Sequence, residues 1–276
     1  MCIRKILNWF NGPEEDPEPI EETNRTALLF GINNYPGSAN DLNGCLNDID
    51  DVEEKLNEEF PGFKIKKFKD SEVTAERFIS ECEKAISELG PGGTVVFYSD
   101  SCFSKSNTRD FELGLIKSNH PPKSRFKDPG LPPRKIINRK VFRSDPGNMK
   151  WIAFSGCGEH ETSADAYINR RYNGAFTYYA LKSTKPGDTY QTQLDITRTY
   201  LPGSGYSQTP SIEGPVSLTS RKLYEGPTLI IWYSGHGSYT YDLNGDEADG
   251  YDEVICCYNR NVTDDEIGAI LQKIPV

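Results

Sequence analysis

Four mainly apolar runs divide the chain, and each leads into polar residues or glycine. The runs are Thr26–Ile32, Thr94–Ser99, Trp151–Phe154 and Thr228–Tyr233. A strand with one face in water alternates apolar and polar residues, whereas a strand inside a parallel sheet is buried on both faces. The four runs therefore predict the buried strands of a parallel sheet.

The stretches between these runs carry the spacing of amphipathic helices. Leu42–Leu56 has apolar residues at positions 42, 45, 46, 49, 52 and 56, a helical spacing. Val73–Leu89 predicts a second helix, which Gly90-Pro91-Gly92-Gly93 ends. Further helices are predicted at Gly174–Lys182, Thr189–Tyr200 and Ile267–Ile274, and short strands at Phe63–Phe68 and Glu253–Cys257. Strands that alternate with helices predict an α/β fold, a three-layer sandwich with helices flanking a mostly parallel central sheet.

Polar segments interrupt this pattern in two places. Residues 13–22 are acidic and rich in proline, so residues 1–24 are interpreted as an N-terminal segment with an acidic linker. The short apolar stretch within residues 1–12 lacks the features of a signal peptide and is expected to pack on the domain as a short helix. Residues 104–149 are polar and basic without clear periodicity, which predicts a long functional or cleavable loop.

Composition narrows the range of functions. The formal net charge of −10 argues against nucleic acid as a partner and suits basic peptides or metal ions. No run approaches the roughly 18 apolar residues of a membrane span, so no membrane association is expected. The seven cysteines form no CxxC pair, which predicts free thiols, a reducing compartment and a cytoplasmic location.

Two of the apolar runs end beside residues that can form a catalytic pair. TVVFYS leads into Asp100-Ser101-Cys102, and TLIIWYS leads into Gly235-His236-Gly237. Functional groups in open α/β sheets gather beyond the carboxyl ends of the strands, so Cys102 and His236 can meet if their strands are neighbours. An imidazole beside a thiol is the usual means of activating a cysteine, and glycines beside His236 allow a substrate to approach closely.

Each member of this pair also has a plain structural explanation. A cysteine after an apolar run is usually a buried small hydrophobe. Of the other histidines, His120 lies beside two prolines and is expected to be solvated, while His160 follows a strand and could line the rim of a site. Because only His236 combines a strand end with flanking glycines, the pair is better supported than either residue alone.

Several motifs together resemble the metacaspases, a family of caspase-like cysteine peptidases. The histidine half of the family's large subunit is similar to Tyr233–Gly237, Gly245–Val254 and Thr263–Glu266, and its nucleophile motif is similar to Asp100–Cys102. The opening strand and helix resemble Thr26–Asp51, and the small subunit with its tail resembles Ser155–Ala166, Gly174–Thr177 and Ser207–Pro210. The resemblance covers most of residues 25–276 and implies a single domain with the caspase–hemoglobinase fold.

The resemblance implies hydrolysis of peptide bonds after arginine or lysine. A cationic side chain needs a pocket lined by carboxylates, and the resemblance assigns Asp48, Asp100 and Ser234 to that pocket. The backbone N–H groups of Cys102 and Gly237 are expected to hold the oxyanion. Alternatives stay open for the pocket residues: Asp48 as a surface acid of a helix, Asp100 as the cap of a turn, and Ser234 as a hydroxyl that satisfies a strand end.

Calcium is the cofactor that the resemblance implies. Metacaspases are often activated by this ion, and Asp252, Asp264, Asp265 and Asp110 stand at or near the positions concerned. Carboxylate oxygens from several loops are ligands that Ca²⁺ prefers. The cofactor is therefore expected to be activating Ca²⁺.

Two other interpretations of the acidic region stay open. Asp242, Asn244, Asp246 and Glu253 mimic positions 1, 3, 5 and 12 of an EF-hand loop. Glu247 replaces the glycine that such a loop needs for its turn, and no helix precedes the segment. A solvated acidic loop without a metal ion is the remaining interpretation.

The histidine block stands last in the chain, whereas in the family it precedes the nucleophile. Here residues 224–276 follow the nucleophile-bearing part (25–116), the basic loop (117–149) and the small-subunit-like part (150–223). The resemblance then predicts that the strand before His236 inserts between the first strand and the cysteine strand, which should slow folding. We expect a monomer, with a domain-swapped dimer as the alternative.

Self-processing is expected in the basic loop. The candidate sites are Arg134, Lys135, Arg139, Lys140 and Arg143, and the alternative is a loop that is only solvated and flexible. Basic peptides or proteins are the expected substrates.

Two rival functions stay open besides the peptidase. A catalytically inactive caspase homologue that binds or regulates a partner is suggested by the rearranged order and by Phe103-Ser104-Lys105, where the family commonly has His-Ser-Gly. A calcium-responsive binding module that uses the acidic loops is the other. The retention of both Cys102 and His236 argues for the enzyme.

Overall fold

The computed structural model describes residues 24–102, 120–132, 149–158, 161–245, 247 and 250–275. The strands are β1 (Arg25–Gly31), β2 (Lys64–Lys69), β3 (Thr94–Asp100), β4 (Lys123–Ser124), β5 (Trp151–Ser155), β6 (Ala164–Ile168), β7 (Arg171–Gly174), β8 (Ser211–Glu213), β9 (Thr228–Ser234), β10 (Gly237–Tyr241), β11 (Tyr251–Cys256) and β12 (Asn261–Thr263). The helices are α1 (Cys45–Glu59), α2 (Ala75–Leu89), α3 (Ala175–Ser183), α4 (Tyr190–Gly203), α5 (Val216–Thr219) and α6 (Asp264–Leu271).

Six strands form the central sheet in the order β2-β1-β9-β3-β5-β8. The first five run parallel, and β8 runs antiparallel to β5. The predicted α/β fold with a mostly parallel sheet is confirmed. The strand that comes last in the sheet's chain order, β9, lies between β1 and β3, which is the place predicted for it.

Alternate residues of each central strand face opposite sides of the sheet, and both sides are covered. Leu28 and Phe30 belong to one apolar cluster, and Ala27 and Leu29 belong to the other. Helices α2 and α6 cover the first side, and α1, α3 and α4 cover the second. Burial on both faces explains why these strands are continuous apolar runs in the sequence.

Local sequence signals fix the ends of several helices. The Thr74 side chain accepts a hydrogen bond from the Arg77 N–H at the start of α2, which ends where Gly90 adopts a positive φ of 77°. Thr263 and Glu266 form a reciprocal capping box at the start of α6. Among the described residues no helix combines the length and the apolar character needed to cross a membrane.

Two small antiparallel sheets stand beside the central sheet. One has the order β10-β11-β12, and the other has the order β4-β6-β7. The strand β4 corrects the expectation that residues 104–149 carry no structure, because residues 120–132 within that range are ordered against β6 and β10. Residues 201–226, which lie outside the helices and strands predicted above, contain β8 and α5.

Candidate active site

The cysteine and the histidine follow paired positions of neighbouring strands. Asp100 at the end of β3 lies opposite Ser234 at the end of β9 in the parallel register. Cys102 and His236 each stand two residues further on. Gly237 packs directly against the Cys102 backbone, since a Cβ at position 237 would collide with the Cys102 carbonyl group and come within 3.1 Å of its nitrogen. The register therefore brings both residues to the same edge of the sheet.

The Cys102 side chain is buried beside Ser163 and Cys157. Its Sγ accepts a hydrogen bond from the Ser163 N–H at 2.6 Å. A hydrogen bond with Cys102 and burial both raise the pKa of the Cys157 thiol. The second thiol is therefore held in its neutral form next to the first.

The imidazole of His236 is oriented by a backbone carbonyl. Its Nε2 lies 2.8 Å from the carbonyl oxygen of Asn40, so in this pairing Nε2 carries the hydrogen. The Nδ1 atom is buried and has no hydrogen-bond partner among the described residues. Burial lowers the pKa of His236, and the positive charges of Arg125 and Lys127 lower it further. The ring is therefore neutral at neutral pH, with a lone pair available on Nδ1.

Two tyrosines hold the histidine backbone in place. The Tyr35 hydroxyl accepts a hydrogen bond from the His236 N–H at 2.7 Å, and the Tyr35 ring lies 4.9 Å from the imidazole. The Tyr233 hydroxyl donates to the His236 carbonyl at 2.8 Å. Sequence reasoning found no third member for the pair. The backbone carbonyl of Asn40 takes the place of a third member by bonding the imidazole. A pattern of side chains in the sequence cannot reveal a backbone contact of this kind.

The predicted pocket residues Asp48, Asp100 and Ser234 meet around the guanidinium of Arg125. Arg125 Nη2 lies 2.7 Å from Asp48 Oδ2, and Nη1 lies 3.1 Å from Asp100 Oδ2. Nη1 also donates to Ser234 Oγ at 2.7 Å. A further carboxylate, Asp165, is 3.2 Å from Nη2. All five side chains are completely buried.

Each of the three carboxylates is held in place by the protein. Asp48 accepts from the Gly174 N–H at 2.8 Å, and Asp100 accepts from the Thr177 N–H at 2.9 Å. Asp165 accepts from the N–H of Gly44 at 2.8 Å. These bonds keep the acidic oxygens in fixed positions, so the pocket is preorganised for a planar cation with several donors.

The pocket is more acidic than its cation can balance. Three carboxylates surround one guanidinium. Burial raises the pKa of Asp48 to about 6, Asp100 raises it too, and Arg125 opposes both effects. Asp165 was present in the small-subunit motif but was not assigned to the pocket. Asp48 and Asp100 are neither a surface acid nor a simple turn cap.

The backbone of Arg125 contacts the two N–H groups predicted to hold an oxyanion. Its carbonyl oxygen accepts from the Gly237 N–H at 2.9 Å and from the Cys102 N–H at 3.4 Å. Two donors that converge on one carbonyl oxygen form the arrangement that stabilises a tetrahedral intermediate. Arg125 lies in the long polar loop and was not singled out from the sequence, since nothing local marks it as buried.

A second acidic cluster lies next to β10 and β11. Carboxylate oxygens of Glu247, Glu253 and Asp264 lie within 4.8 Å of one another. Burial raises the pKa of Asp264 to about 8, and the carboxylates of Glu253, Asp252 and Asp265 add to that effect. Asp264 thus belongs to the cluster, and Asp252 and Asp265 are near enough to contribute to its field. Sequence reasoning missed Glu247 as a ligand candidate.

The loop geometry does not support the EF-hand-like alternative, because the first candidate ligand bonds the loop's own backbone. The Asp242 carboxylate accepts hydrogen bonds from the N–H groups of Asn244, Gly245 and Glu247, so it stabilises the loop backbone. Asp246 lies outside the described residues.

Several other predicted residues also lie outside the described part of the chain. They are Asp110, His160 and the candidate cleavage residues Arg134, Lys135, Arg139, Lys140 and Arg143. His120 is exposed, as expected, and its Nδ1 lies 3.2 Å from the Tyr172 hydroxyl.

Comparison with known proteins points in the same direction as this geometry. A family model described as the caspase domain matches residues 24–102. Metacaspase-1 of Arabidopsis thaliana is 46% identical over 55 residues, covering 18% of this chain and 15% of that protein. Metacaspase-1B of Neurospora crassa is 50% identical over 50 residues, covering 17% and 12%. Metacaspase-1 of Schizosaccharomyces pombe is 49% identical over 49 residues, covering 16% and 12%.

These similarities are confined to part of each protein. The aligned segments span 12–15% of the length of the three metacaspases. Among solved structures, a protein from Geobacter sulfurreducens aligns with a TM-score of 0.48 and 15% identity, covering 73% of this chain and 99% of that one.

Proposed function

We propose that this chain is a cysteine endopeptidase that cleaves after arginine or lysine. Its similarity to the caspase domain over residues 24–102 and to short segments of metacaspases supports the proposal. One observation carries the proposal. Arg125 has its guanidinium among three carboxylates while its carbonyl oxygen accepts from the N–H groups of Cys102 and Gly237. A single residue thus satisfies the pocket and the oxyanion donors together, as a residue before a scissile bond would.

In the proposed reaction the imidazole takes and returns one proton. The Cys102 thiol transfers its proton to Nδ1 of His236, and the thiolate attacks the substrate carbonyl carbon. The N–H groups of Cys102 and Gly237 stabilise the oxyanion that forms. His236 then protonates the leaving amine, and water hydrolyses the acyl-enzyme. The hydrogen bond from Nε2 to Asn40 supports the ring orientation that this sequence requires.

The pocket supports a preference for a cationic side chain. Asp48, Asp100 and Asp165 offer oxygens on both sides of a guanidinium, and Ser234 adds a hydroxyl oxygen. An aspartate side chain in the same place would be surrounded by like charges and buried without a counterion, which is strongly unfavourable. Lysine would use fewer of the available oxygens than arginine, so arginine is the preferred residue.

Calcium activation is part of the proposal. The second acidic cluster offers only oxygen ligands, from Glu247, Glu253 and Asp264, and Asp252 and Asp265 lie near it. This donor set fits Ca²⁺, which prefers carboxylate oxygens. Bound calcium would neutralise the clustered charge. Reaction steps at Cys102 do not involve the ion.

Localisation and oligomeric state also belong to the proposal. The six described cysteines have free thiols, which is consistent with a reducing cytoplasm. The strand β9 of this chain pairs with β1 and β3 of the same chain, so a monomer completes its own sheet. A domain-swapped dimer would exchange β9 between copies.

The test is hydrolysis of fluorogenic peptides that end in arginine, lysine or aspartate before the fluorophore, with and without Ca²⁺. We expect turnover of the arginine and lysine peptides, and its loss with Cys102→Ala and His236→Ala. Exposed Glu58→Gln on α1 is a matched surface control and should behave like wild type. Absence of turnover by wild type and by Arg125→Gln, which removes the guanidinium from the pocket, would favour the inactive homologue instead.

A further inference from the structure

The hairpin formed by β6 and β7 carries two tyrosines that face each other across its strands. Tyr167 lies opposite Tyr172 in the antiparallel register, and their ring centroids are 5.0 Å apart. Asn169 and Arg170 form the two-residue turn with positive φ values of 49° and 66°, as a type I′ turn requires. This turn fixes the register of the hairpin and therefore the position of the two rings relative to each other.

Helix α1 holds this hairpin in place. The Asn47 side chain of α1 donates to the Tyr172 carbonyl at 2.7 Å, and the Arg171 guanidinium pairs with Asp51 of α1 at 2.7 Å. Tyr167 nevertheless remains 37% exposed, so its ring is accessible to a ligand. The two rings are therefore presented to solvent on a fixed support, which is what a recognition site requires.

One edge of β6 leads from these tyrosines to the carboxylate pocket. The strand β4 pairs antiparallel with this edge, with Ser124 opposite Ala164, and the Arg125 N–H donates to the Ser163 carbonyl at 3.0 Å. Because the Arg125 side chain fills the pocket, this register gives the path of any extended peptide that places an arginine there. A peptide that adds to a sheet edge has its backbone held by the strand and its side chains recognised by separate subsites.

The residue five positions before Arg125 shows how the two tyrosines receive a ring. The His120 imidazole lies 4.2 Å from the Tyr167 ring between centroids, at an interplanar angle of 33°. It lies 6.0 Å from the Tyr172 ring at an angle of 89°, and its Nδ1 is 3.2 Å from the Tyr172 hydroxyl. One tyrosine thus packs against the imidazole, while the other stands perpendicular to it and offers a hydroxyl group.

We infer that Tyr167 and Tyr172, here called the tyrosine clamp, form a substrate subsite for a planar ring five residues before the arginine at the cleaved bond. The inference rests on the proposed function and deepens it, because it adds a second recognition element to the carboxylate pocket. An imidazole is the preferred ring, since it packs on Tyr167 and shares a hydrogen bond with the Tyr172 hydroxyl. A phenyl ring can use the packing alone.

The distance between the clamp and the pocket sets the length of substrate that can use both. An extended chain advances about 3.3 Å per residue, so five residues span roughly 17 Å. A peptide with fewer than six residues up to and including its arginine cannot reach the clamp. Short substrates therefore report on the pocket and the catalytic pair alone, whereas longer substrates report on the clamp as well.

The first experiment compares the hydrolysis of three substrates that carry a fluorophore after arginine. They are His-Pro-Pro-Lys-Ser-Arg, which is the sequence of residues 120–125, the same peptide with alanine in place of histidine, and Lys-Ser-Arg. The enzyme carries His120→Ala and Arg125→Gln, which remove the chain's own side chains from the clamp and the pocket. We expect kcat/KM to be about 3- to 10-fold higher for the histidine peptide than for the alanine peptide.

Substitution of the clamp then shows whether it causes this preference. Adding Tyr167→Ala should abolish the preference for histidine and leave kcat/KM for Lys-Ser-Arg unchanged. Tyr241→Ala, at a tyrosine of β10 that is 50% exposed, is the matched control and should keep the preference. A role of Tyr167 in the stability of the hairpin alone would instead lower kcat/KM for all three substrates together.

The second experiment measures binding without turnover. Fluorescently labelled six-residue peptides with histidine, phenylalanine or alanine at the first position are titrated by polarisation into the same protein with Cys102→Ala added. The histidine peptide should bind most tightly. Tyr172→Phe removes only the hydroxyl group, so it should weaken binding of the histidine peptide by about 2- to 10-fold and leave the phenylalanine peptide unchanged. Circular dichroism checks that every variant is folded.

The outcomes separate this inference from the proposed function. If arginine peptides are hydrolysed but the histidine and alanine peptides have equal kcat/KM, the clamp is not a subsite and the peptidase proposal stands. If no arginine or lysine peptide is hydrolysed, the proposed function fails, and the binding experiment decides on the clamp. Equal affinity for the histidine and alanine peptides would then overturn it, whereas a preference for histidine that is lost with Tyr167→Ala would support it as a peptide-binding site.

Discussion

The described part of the chain holds two clusters of acidic side chains, and they differ in whether a cation lies among the carboxylates. Around Arg125, three completely buried aspartates share a guanidinium, and the pKa of Asp48 is raised to about 6. Beside β11, Asp264 is only half-buried, yet its pKa is raised to about 8 by burial and by neighbouring acids. The more buried acid is thus the less perturbed one, because a cation lies against it.

Under the proposed function, the two clusters have different partners. The first holds a planar cation with five N–H donors and uses oxygens on several sides of it, which is recognition of an arginine side chain. The second brings carboxylate oxygens within 4.8 Å of one another, which suits a small hard ion. The first cluster should therefore govern substrate choice, and the second should govern stability and activation.

The largest expected effect is loss of arginine recognition on removing one pocket charge. Asp100→Asn keeps the size of the side chain but leaves a substrate guanidinium short of one carboxylate. Breaking a buried charged pair costs about 3–5 kcal/mol, so kcat/KM for arginine peptides should fall by about 100-fold or more.

Two comparisons sharpen this result. Asp195→Asn, at an exposed acid of α4, should leave kcat/KM unchanged. Normal kcat/KM for Asp100→Asn would show that the acidic pocket does not recognise the substrate cation.

A smaller effect is expected from filling the pocket by one methyl group. In Gly174→Ala the new Cβ would collide with the Asp100 carboxylate and come within 2.5 Å of Arg125 Nη1. Overpacking of this kind costs about 1–3 kcal/mol, so arginine peptides should bind more weakly. Gly203→Ala is the matched control, because no atom lies within 4 Å of a Cβ built there. Equal behaviour of the two variants would contradict the assigned position of the pocket.

Much of the fold could be predicted from the sequence, because short apolar runs mark the buried strands. The runs that became β1, β3, β5 and β9 are apolar on both faces because helices cover both sides of the sheet. Cys102 and His236 could be proposed because the chain places each directly after such a run. The parallel register, which places Asp100 opposite Ser234, then brings both residues to the same edge of the sheet.

The parts that could not be read depend on distant segments. Arg125 stands in a polar stretch that looks like a solvated loop, and its burial results from counterions on α1, β3 and β6. Asn40 acts through a backbone carbonyl, which every residue has. Asp165 lay within a recognised motif, but its place beside Asp48 follows from their shared partner, Nη2 of the distant Arg125.

Calcium should have an effect on stability that involves only the second cluster. In Cys102→Ala, which cannot cleave itself, millimolar Ca²⁺ should raise Tm, since a ligand at 100 times its Kd stabilises by about 2.7 kcal/mol. Adding Asp264→Asn should remove most of that rise, while Asp195→Asn should leave it intact. An equal rise in Tm with Asp264→Asn would show that calcium, if it binds, binds elsewhere. Asp100→Asn should not alter the calcium effect, which keeps the two clusters distinct.

The most specific effect is a pH dependence of stability that Asp48 contributes. Its pKa is about 6 in the folded protein and 3.8 as the reference value, so the folded state binds more protons between these values. The free energy of unfolding should therefore fall as pH rises from about 4 to about 6, by on the order of 3 kcal/mol from this group. Denaturant unfolding of Cys102→Ala should show this fall, and Cys102→Ala with Asp48→Asn should show less of it. Parallel pH profiles for the two proteins would contradict a raised pKa at Asp48, and with it the idea that one guanidinium only partly balances the pocket.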